Sequence, residues 1–216
     1  AGQMCIRDSS EGTTFSGEAI DGYISGANVF IDENFNFNKD VGEFSATTDT
    51  NGQFQIQVAS NTKAACLRNR PIIANVPIGA IDSTYGNVTE AYQMLLPSIN
   101  DAGIDKIVIS PFTTLLSEAI IQGKIASNLD QDLTLEEGCG IKGNNVQTQV
   151  SSKITTLIND LENTYGFTYK QLIADFIEGD TPYGESHLFY ENNARNLAGY
   201  YPCLLYTSPS PRDVEE

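Results

Sequence analysis

The chain reads as an α+β protein, a β-sandwich followed by a small helical bundle. Two observations predict this. Between Ala27 and Ile109, short β-branched, aromatic or alternating stretches are separated by turn-forming Asp, Asn and Gly, the rhythm of a two-sheet protein. At Ser110-Pro111 the apolar spacing changes to three or four residues and keeps that period through Ile177, as amphipathic helices do. A third feature, the run from Asp32 to Glu43, lies inside the first part and supplies its candidate chemistry.

The two ends are set aside first. Met4-Cys5-Ile6-Arg7-Asp8-Ser9 reads as the translation of a transposon end used in sequencing libraries, and Cys203 to Asp213, C-L-L-Y-T-S-P-S-P-R-D, as that of the complementary adaptor. The alternative is a genuine tail rich in Ser and Pro. On the adaptor reading the chain is a fragment translated from environmental DNA. Residues 1–9 and 203–216 are then treated as fusion scars, leaving an expected sandwich over 10–110 and an expected bundle over 111–202. The whole chain has 12 basic and 28 acidic residues, a net charge of -16, and without the ends 10 basic and 24 acidic residues remain. An acidic surface without a Lys/Arg cluster argues against nucleic acid and anionic membranes as partners. No apolar run approaches the roughly 20 residues of a membrane span. Trimming also leaves two cysteines, Cys66 and Cys139. They are compatible with one disulfide in an oxidising compartment. They are equally compatible with two buried thiols that never meet, because the sequence does not contain the Cα separation a bridge requires.

In chain order, Ala27 to Ile31 is a strand of β-branched and aromatic residues leading into the Asp/Asn-rich run. Phe44 to Thr48 leads out of it. Gln53-Phe54-Gln55-Ile56-Gln57-Val58 alternates polar and apolar without a break, a half-buried strand, and Asn51-Gly52 before it predicts a tight hairpin turn. Further strands are expected at Ile72–Val76, Val88–Leu96 and Ile104–Ile109, with a turn over Asp82–Asn87. Ser110 then fits an N-cap and Pro111 the first helical position, with Leu115, Leu116, Ala119 and Ile120 on one face. After a polar stretch from Ser127 to Asn145, Val146, Val150, Ile154, Leu157, Ile158, Leu161 and Tyr165 form a stripe ending at Gly166. A third helix starts at Thr168, with Gln171 completing a capping box, and a fourth starts at Pro182.

The run D-E-N-F-N-F-N-K-D-V-G-E has oxygen-bearing side chains at Asp32, Asn34, Asn36, Asp40 and Glu43. These are positions 1, 3, 5, 9 and 12 of a twelve-residue calcium loop, with Asn38 at position 7, where a backbone carbonyl is expected. Calcium is a hard cation that takes six to eight oxygens, and alternate residues of a coiled loop can point inward to supply them. Position 6 is Phe37 rather than the usual Gly. Neither flank has helical period, so the loop is expected between strands and not in an EF-hand. The bland alternative is an Asx-rich turn whose side chains cap their own backbone in solvent.

Gly26 to Asp32, the loop through Glu43, and Thr48-Asp49-Thr50-Asn51-Gly52-Gln53-Phe54 together resemble the calcium-binding B-type β-sandwich repeats of bacterial surface adhesins. They are also similar to the wider carboxypeptidase-regulatory-like and collagen-adhesin-B group. The likeness covers about residues 17–58. It implies an Ig-like or prealbumin-like sandwich, calcium as cofactor, and a secreted, cell-surface or periplasmic setting. Three carboxylates with amide ligands suit weak extracellular sites of about 10⁻⁴–10⁻³ M.

The expected function is therefore non-catalytic, a calcium-stabilised structural or adhesion module facing a protein or glycan surface. No G-x-S-x-G, HExxH, P-loop or dinucleotide fingerprint is present. His187 is the single histidine and lies in an aromatic helical pattern. Glu136 and Glu137 could be imagined as general acid and base of a hydrolase, though nothing in the sequence sets them across a cleft. A second expectation is a glycan- or peptide-binding platform made by Tyr183, Phe189, Tyr190, Tyr200 and Tyr201, whose helical spacing equally suits a core.

Overall fold

A computed structural model describes residues 12–98, 107–129, 131–166, 168–175 and 177. The expected helix from Pro182, His187, the aromatic platform and both adaptor-like ends lie outside the described residues.

The described chain is α+β, with sheets first and helices after. Strands β1 (Thr13–Ala19), β2 (Ile24–Ser25), β3 (Asn28–Ile31), β4 (Ser45–Thr47) and β5 (Gln53–Val58) precede a short helix, α1 (Asn61–Leu67). Then come β6 (Ile72–Val76), β7 (Ile81–Asp82), β8 (Gly86–Asn87), β9 (Tyr92–Leu96) and β10 (Ile107–Ile109). Helices α2 (Pro111–Thr114), α3 (Glu118–Ala126), α4 (Leu135–Gly138), α5 (Ile141–Tyr165) and α6 (Tyr169–Leu172) follow, with a 3₁₀ turn at Leu115–Ser117.

One sheet has the order β10-β1-β5 and a second the order β4-β3-β6-β9, while β2-β7-β8 form a small third sheet. The two larger sheets share a core in which Phe15, Phe54, Ile56 and Ile107 meet Val29, Ile31, Ile72, Ala74 and Leu96. The four-stranded sheet is buried on both sides. Phe30, Ile73 and Leu95, which alternate with those core residues, pack against Ile120, Val146 and Val150 of α3 and α5. This explains the near-continuous apolar runs of β3, β6 and β9, since a strand covered on both faces has no polar side to present. The exposed Gln53, Gln55 and Gln57 of β5 are the contrary case. The helices thus form a third layer on the sandwich.

Several local signals act as read. Ser110 caps α2 through a capping box with Thr113, with Pro111 at the start, and Gly166 ends α5 in the left-handed region at φ 76°. Other expectations need correction. Asn51-Gly52 does not make a β4–β5 hairpin, because β4 and β5 belong to different sheets and only Gly52 takes positive φ. The turn is closed by Gly52 N donating to Asp49 O and Asp49 N to Gln53 O, and it carries the chain from one sheet to the other. The strand expected from Val88 begins at Tyr92, and the third helix, expected to stop at Gly179, ends at Leu172. β1 and α1 carry no strong sequence signal of their own.

Candidate metal centre

The Asp32–Glu43 run is the long connection between β3 and β4, which pair antiparallel. Ile31 N donates to Phe44 O at 3.0 Å and closes the neck of the loop. Inside it, Phe35 and Phe37 both take left-handed backbone, at φ 62° and 64°. Phe37 therefore holds the conformation for which a glycine is usual at this position, at a steric cost of roughly 1–2 kcal/mol. Its ring packs, half-buried, at the edge of the cluster formed by Phe30, Phe35 and Ile73, and Gln93 Nε2 donates to its carbonyl at 3.0 Å.

The loop is coiled around its own carboxylates. Asp32 Oδ1 accepts from Asn36 N at 3.2 Å and Oδ2 from Phe37 N at 3.0 Å. Glu43 reaches back across the loop, Oε1 accepting from Glu33 N and Oε2 from Asp40 N, both at 2.9 Å. Asp40 Oδ2 accepts from the side-chain amides of Asn34 at 2.8 Å and Asn36 at 2.9 Å. Asn38 sits at the exposed tip and bonds only back to Asn36. All six expected positions are thus linked by hydrogen bonds, with Asn38 at the periphery and away from the carboxylates. Among the described residues, however, no three His, Cys, Asp or Glu side chains gather into a metal shell. The acid oxygens face backbone and amide donors instead.

Burial separates this loop from a solvated turn. Asp32, Glu33, Asn34 and Glu43 are buried, Asp32 completely. Desolvation pushes the Asp32 carboxyl up to about 6 against the pull of four backbone N–H groups, those of Asn34 to Phe37. Glu43 is pushed up to about 7, chiefly by burial, with the charges of Asp32 and Asp40 adding to it. Both groups thus resist ionisation unless positive charge arrives.

The protein supplies that charge selectively. Glu33, at the non-ligand position 2, forms an ion pair with Lys63. Arg70, also fully buried, lies within electrostatic reach of Glu33 and Asp32, and its own pKa is lowered to about 10 by burial. Lys39 Nζ donates to the carbonyl oxygens of Asp40 and Glu43 at 2.8 Å rather than to a carboxylate. Among the described residues Asp32, Asp40 and Glu43 form no ion pair. Asn34 at position 3 donates to Asp40, and its buried Oδ1 has no hydrogen-bond partner. An orphaned acceptor beside unpaired buried carboxylates fits a hard, oxygen-seeking cation. Asp32, Asn34, Asn36, Asp40 and Glu43 are the side chains that would hold it.

The loop is gripped from outside by Arg70, Gly138 and Lys124, which the sequence did not flag, and next to them by Cys66 and Cys139, which it did. Arg70 donates to Gly138 O and stacks its guanidinium 5.1 Å from the centre of the Phe35 ring. A Cβ on Gly138 would collide with the Glu33 carbonyl oxygen. Lys124 of α3 donates to Phe35 O at 3.0 Å. Cys66 and Cys139, 73 residues apart in sequence, are joined by a disulfide with a Cα–Cα distance of 5.8 Å. A single Arg before Pro71 gives no local sign that it will be buried under a loop.

Of the acidic pair, Glu137 has a structural role. Glu137 completes the N-terminal capping box of α4 with Thr134 and pairs with Lys142. Lys142 holds the Glu137 carboxyl below its ordinary range, the opposite of what a general acid needs. Among the described residues no helix is long and apolar enough to cross a membrane. No family model, curated protein or solved structure matches the chain.

Proposed function

We propose that the chain is part of a secreted or cell-surface bacterial protein, a non-catalytic structural or adhesion module whose sandwich is stabilised by calcium in the Asp32–Glu43 loop. The observation that carries this reading is how charge is sorted along the loop. Glu33, off the ligand positions, is neutralised by Lys63 and faces Arg70. The acids at positions 1, 9 and 12 form no ion pair among the described residues, although Arg70 also faces Asp32, and the position-3 amide oxygen is orphaned. A calcium ion would answer all four. The Cys66–Cys139 disulfide supports an oxidising, extracytoplasmic setting. The likeness to B-type adhesin repeats points the same way.

Thermal unfolding of the full chain in chelator and in 10 mM calcium tests this. With a dissociation constant of about 10⁻⁴ M, a hundredfold excess of calcium adds about 2.7 kcal/mol. For a domain of this size that is a rise in Tm of about 5–10 °C. Asp32→Ala and Glu43→Ala should each abolish the rise. An unchanged Tm in the parent chain would reduce the loop to a buried Asx turn and end the calcium reading.

A further inference from the structure

Two segments distant in sequence close on three successive residues of the loop, Glu33, Asn34 and Phe35, and both meet at Glu33. From one side come Lys63, paired with Glu33, and Arg70, under the Phe35 ring. From the other comes the end of α4 and the bend into α5, where Gly138 lies against the Glu33 carbonyl and receives the Arg70 guanidinium on its own carbonyl. Gly138 is absent from the positive-φ residues, so space alone, and not backbone conformation, demands glycine there. Cys66 and Cys139 lie within these segments, and their disulfide is the covalent tie between them. Glu33, Asn34 and Phe35 are the residues held, and they fix the spacing between the ligand positions Asp32, Asn34 and Asn36.

We infer that the Cys66–Cys139 disulfide sets the calcium affinity of the loop by pinning the α4–α5 bend beneath Glu33–Phe35. This rests on the calcium reading above and gives it a regulator. Both cysteines are only half-buried, so a dithiol can reach them. In that exchange the Sγ–Sγ bond takes up two electrons and two protons to give two thiols, and the dithiol closes to its own disulfide. The released bend no longer confines the loop, and the ordering it provided falls on the binding step instead. Linkage makes the coupling reciprocal: whatever factor the bridge adds to calcium affinity, bound calcium adds to the bridge's resistance to reduction.

The test is calorimetric calcium titration of the full chain with Cys5→Ser and Cys203→Ser, so that one bridge alone reports. The oxidised chain, the dithiothreitol-reduced chain and Cys66→Ser/Cys139→Ser are compared, with near-ultraviolet circular dichroism confirming the fold. The reduced and serine forms should bind about tenfold more weakly, and calcium should raise the dithiol concentration at half-reduction by a similar factor. Equal affinity in folded oxidised and reduced chains overturns the inference and leaves the calcium site standing. No binding to the oxidised chain removes both. Where reduction unfolds the chain, Gly138→Ala decides, because it keeps the bridge but lifts the bend off Glu33. Weaker binding there upholds the clamp, and unchanged binding overturns it.

Discussion

Asp32 and Asp49 open turns of the same chemistry in different surroundings. Asp49 Oδ1 accepts from Asn51 N at 2.8 Å and Gln53 N at 2.9 Å, in an exposed turn that passes the chain between sheets. Asp32 likewise caps the backbone four and five residues on, but it is wholly buried with Glu43 and Asn34 beside it. In both, one carboxylate takes two backbone N–H groups, Asp49 through Oδ1 alone and Asp32 through both oxygens. What differs is solvent: Asp49 is exposed to water, whereas Asp32 depends on charges the protein or a ligand brings. An Asx turn becomes a candidate ion site through the layer packed over it, here α3, α4 and α5.

The sharpest way to break this contrast is to remove the buried cation. Arg70→Leu takes away the charge facing Glu33 and Asp32, the bond to Gly138 O and the contact with Phe35. Leaving the buried Gly138 carbonyl without its charged donor and Glu33 and Asp32 without the facing charge should cost about 1–3 kcal/mol, to be read as a fall in urea-unfolding free energy. Lys63→Met removes an ion pair whose lysine is 33% exposed and should cost no more than about 1 kcal/mol. Equal losses from the two would mean that burial does not grade the charges around the loop.

The pH dependence sharpens the same contrast. In the metal-free chain, Asp32 and Glu43 have folded pKa values of about 6 and about 7, raised by burial from 3.8 and 4.5. A raised folded pKa means the folded state holds protons that the unfolded state has lost. The stabilisation is therefore full below about pH 4 and disappears as pH rises through 6 to 7. Chelex-treated protein should lose stability across that window relative to Asp32→Asn/Glu43→Gln, while the gain from added calcium grows over the same range, because the metal takes the ionised form. A difference curve that is flat or rises with pH would show that these carboxylates are not the groups in play.

How much of this was legible beforehand depended on how local the signal was. The Ser110-Pro111 start and the Gly166 stop are written in neighbouring residues, and the structure uses them where the sequence sets them; the Asp32 to Glu43 spacing is as local, and it forms one coiled loop between β3 and β4. Asn51-Gly52 misled because a local turn signal cannot say which sheet receives the next strand. Gly52 bends the chain as a turn should, yet β5 leaves to pair with β1. Helix α1 is seven residues long, too short to show a period. Arg70 was invisible for another reason: its partners Gly138 and Asn144 lie 68 and 74 residues away. The grip on the loop is made by such distant contacts, so the sequence offered candidate ligands but not the residues that hold them in place.

The smallest expected effect is the control on the whole comparison. Asp49→Ala removes two hydrogen bonds at an exposed turn, where water can replace the lost acceptor, and should cost about 0.5–1.5 kcal/mol. Its Tm in chelator should therefore fall by a few degrees at most. Its rise in Tm with calcium should equal that of the parent chain, in contrast to Asp32→Ala, which should show none. The two variants delete the same side chain, each accepting two backbone N–H groups, so their difference reports chiefly burial and the neighbouring Asp40, Glu43 and Asn34. If Asp49→Ala also lost the calcium response, the ion would be acting on general surface charge, and the buried loop would have no special claim to it.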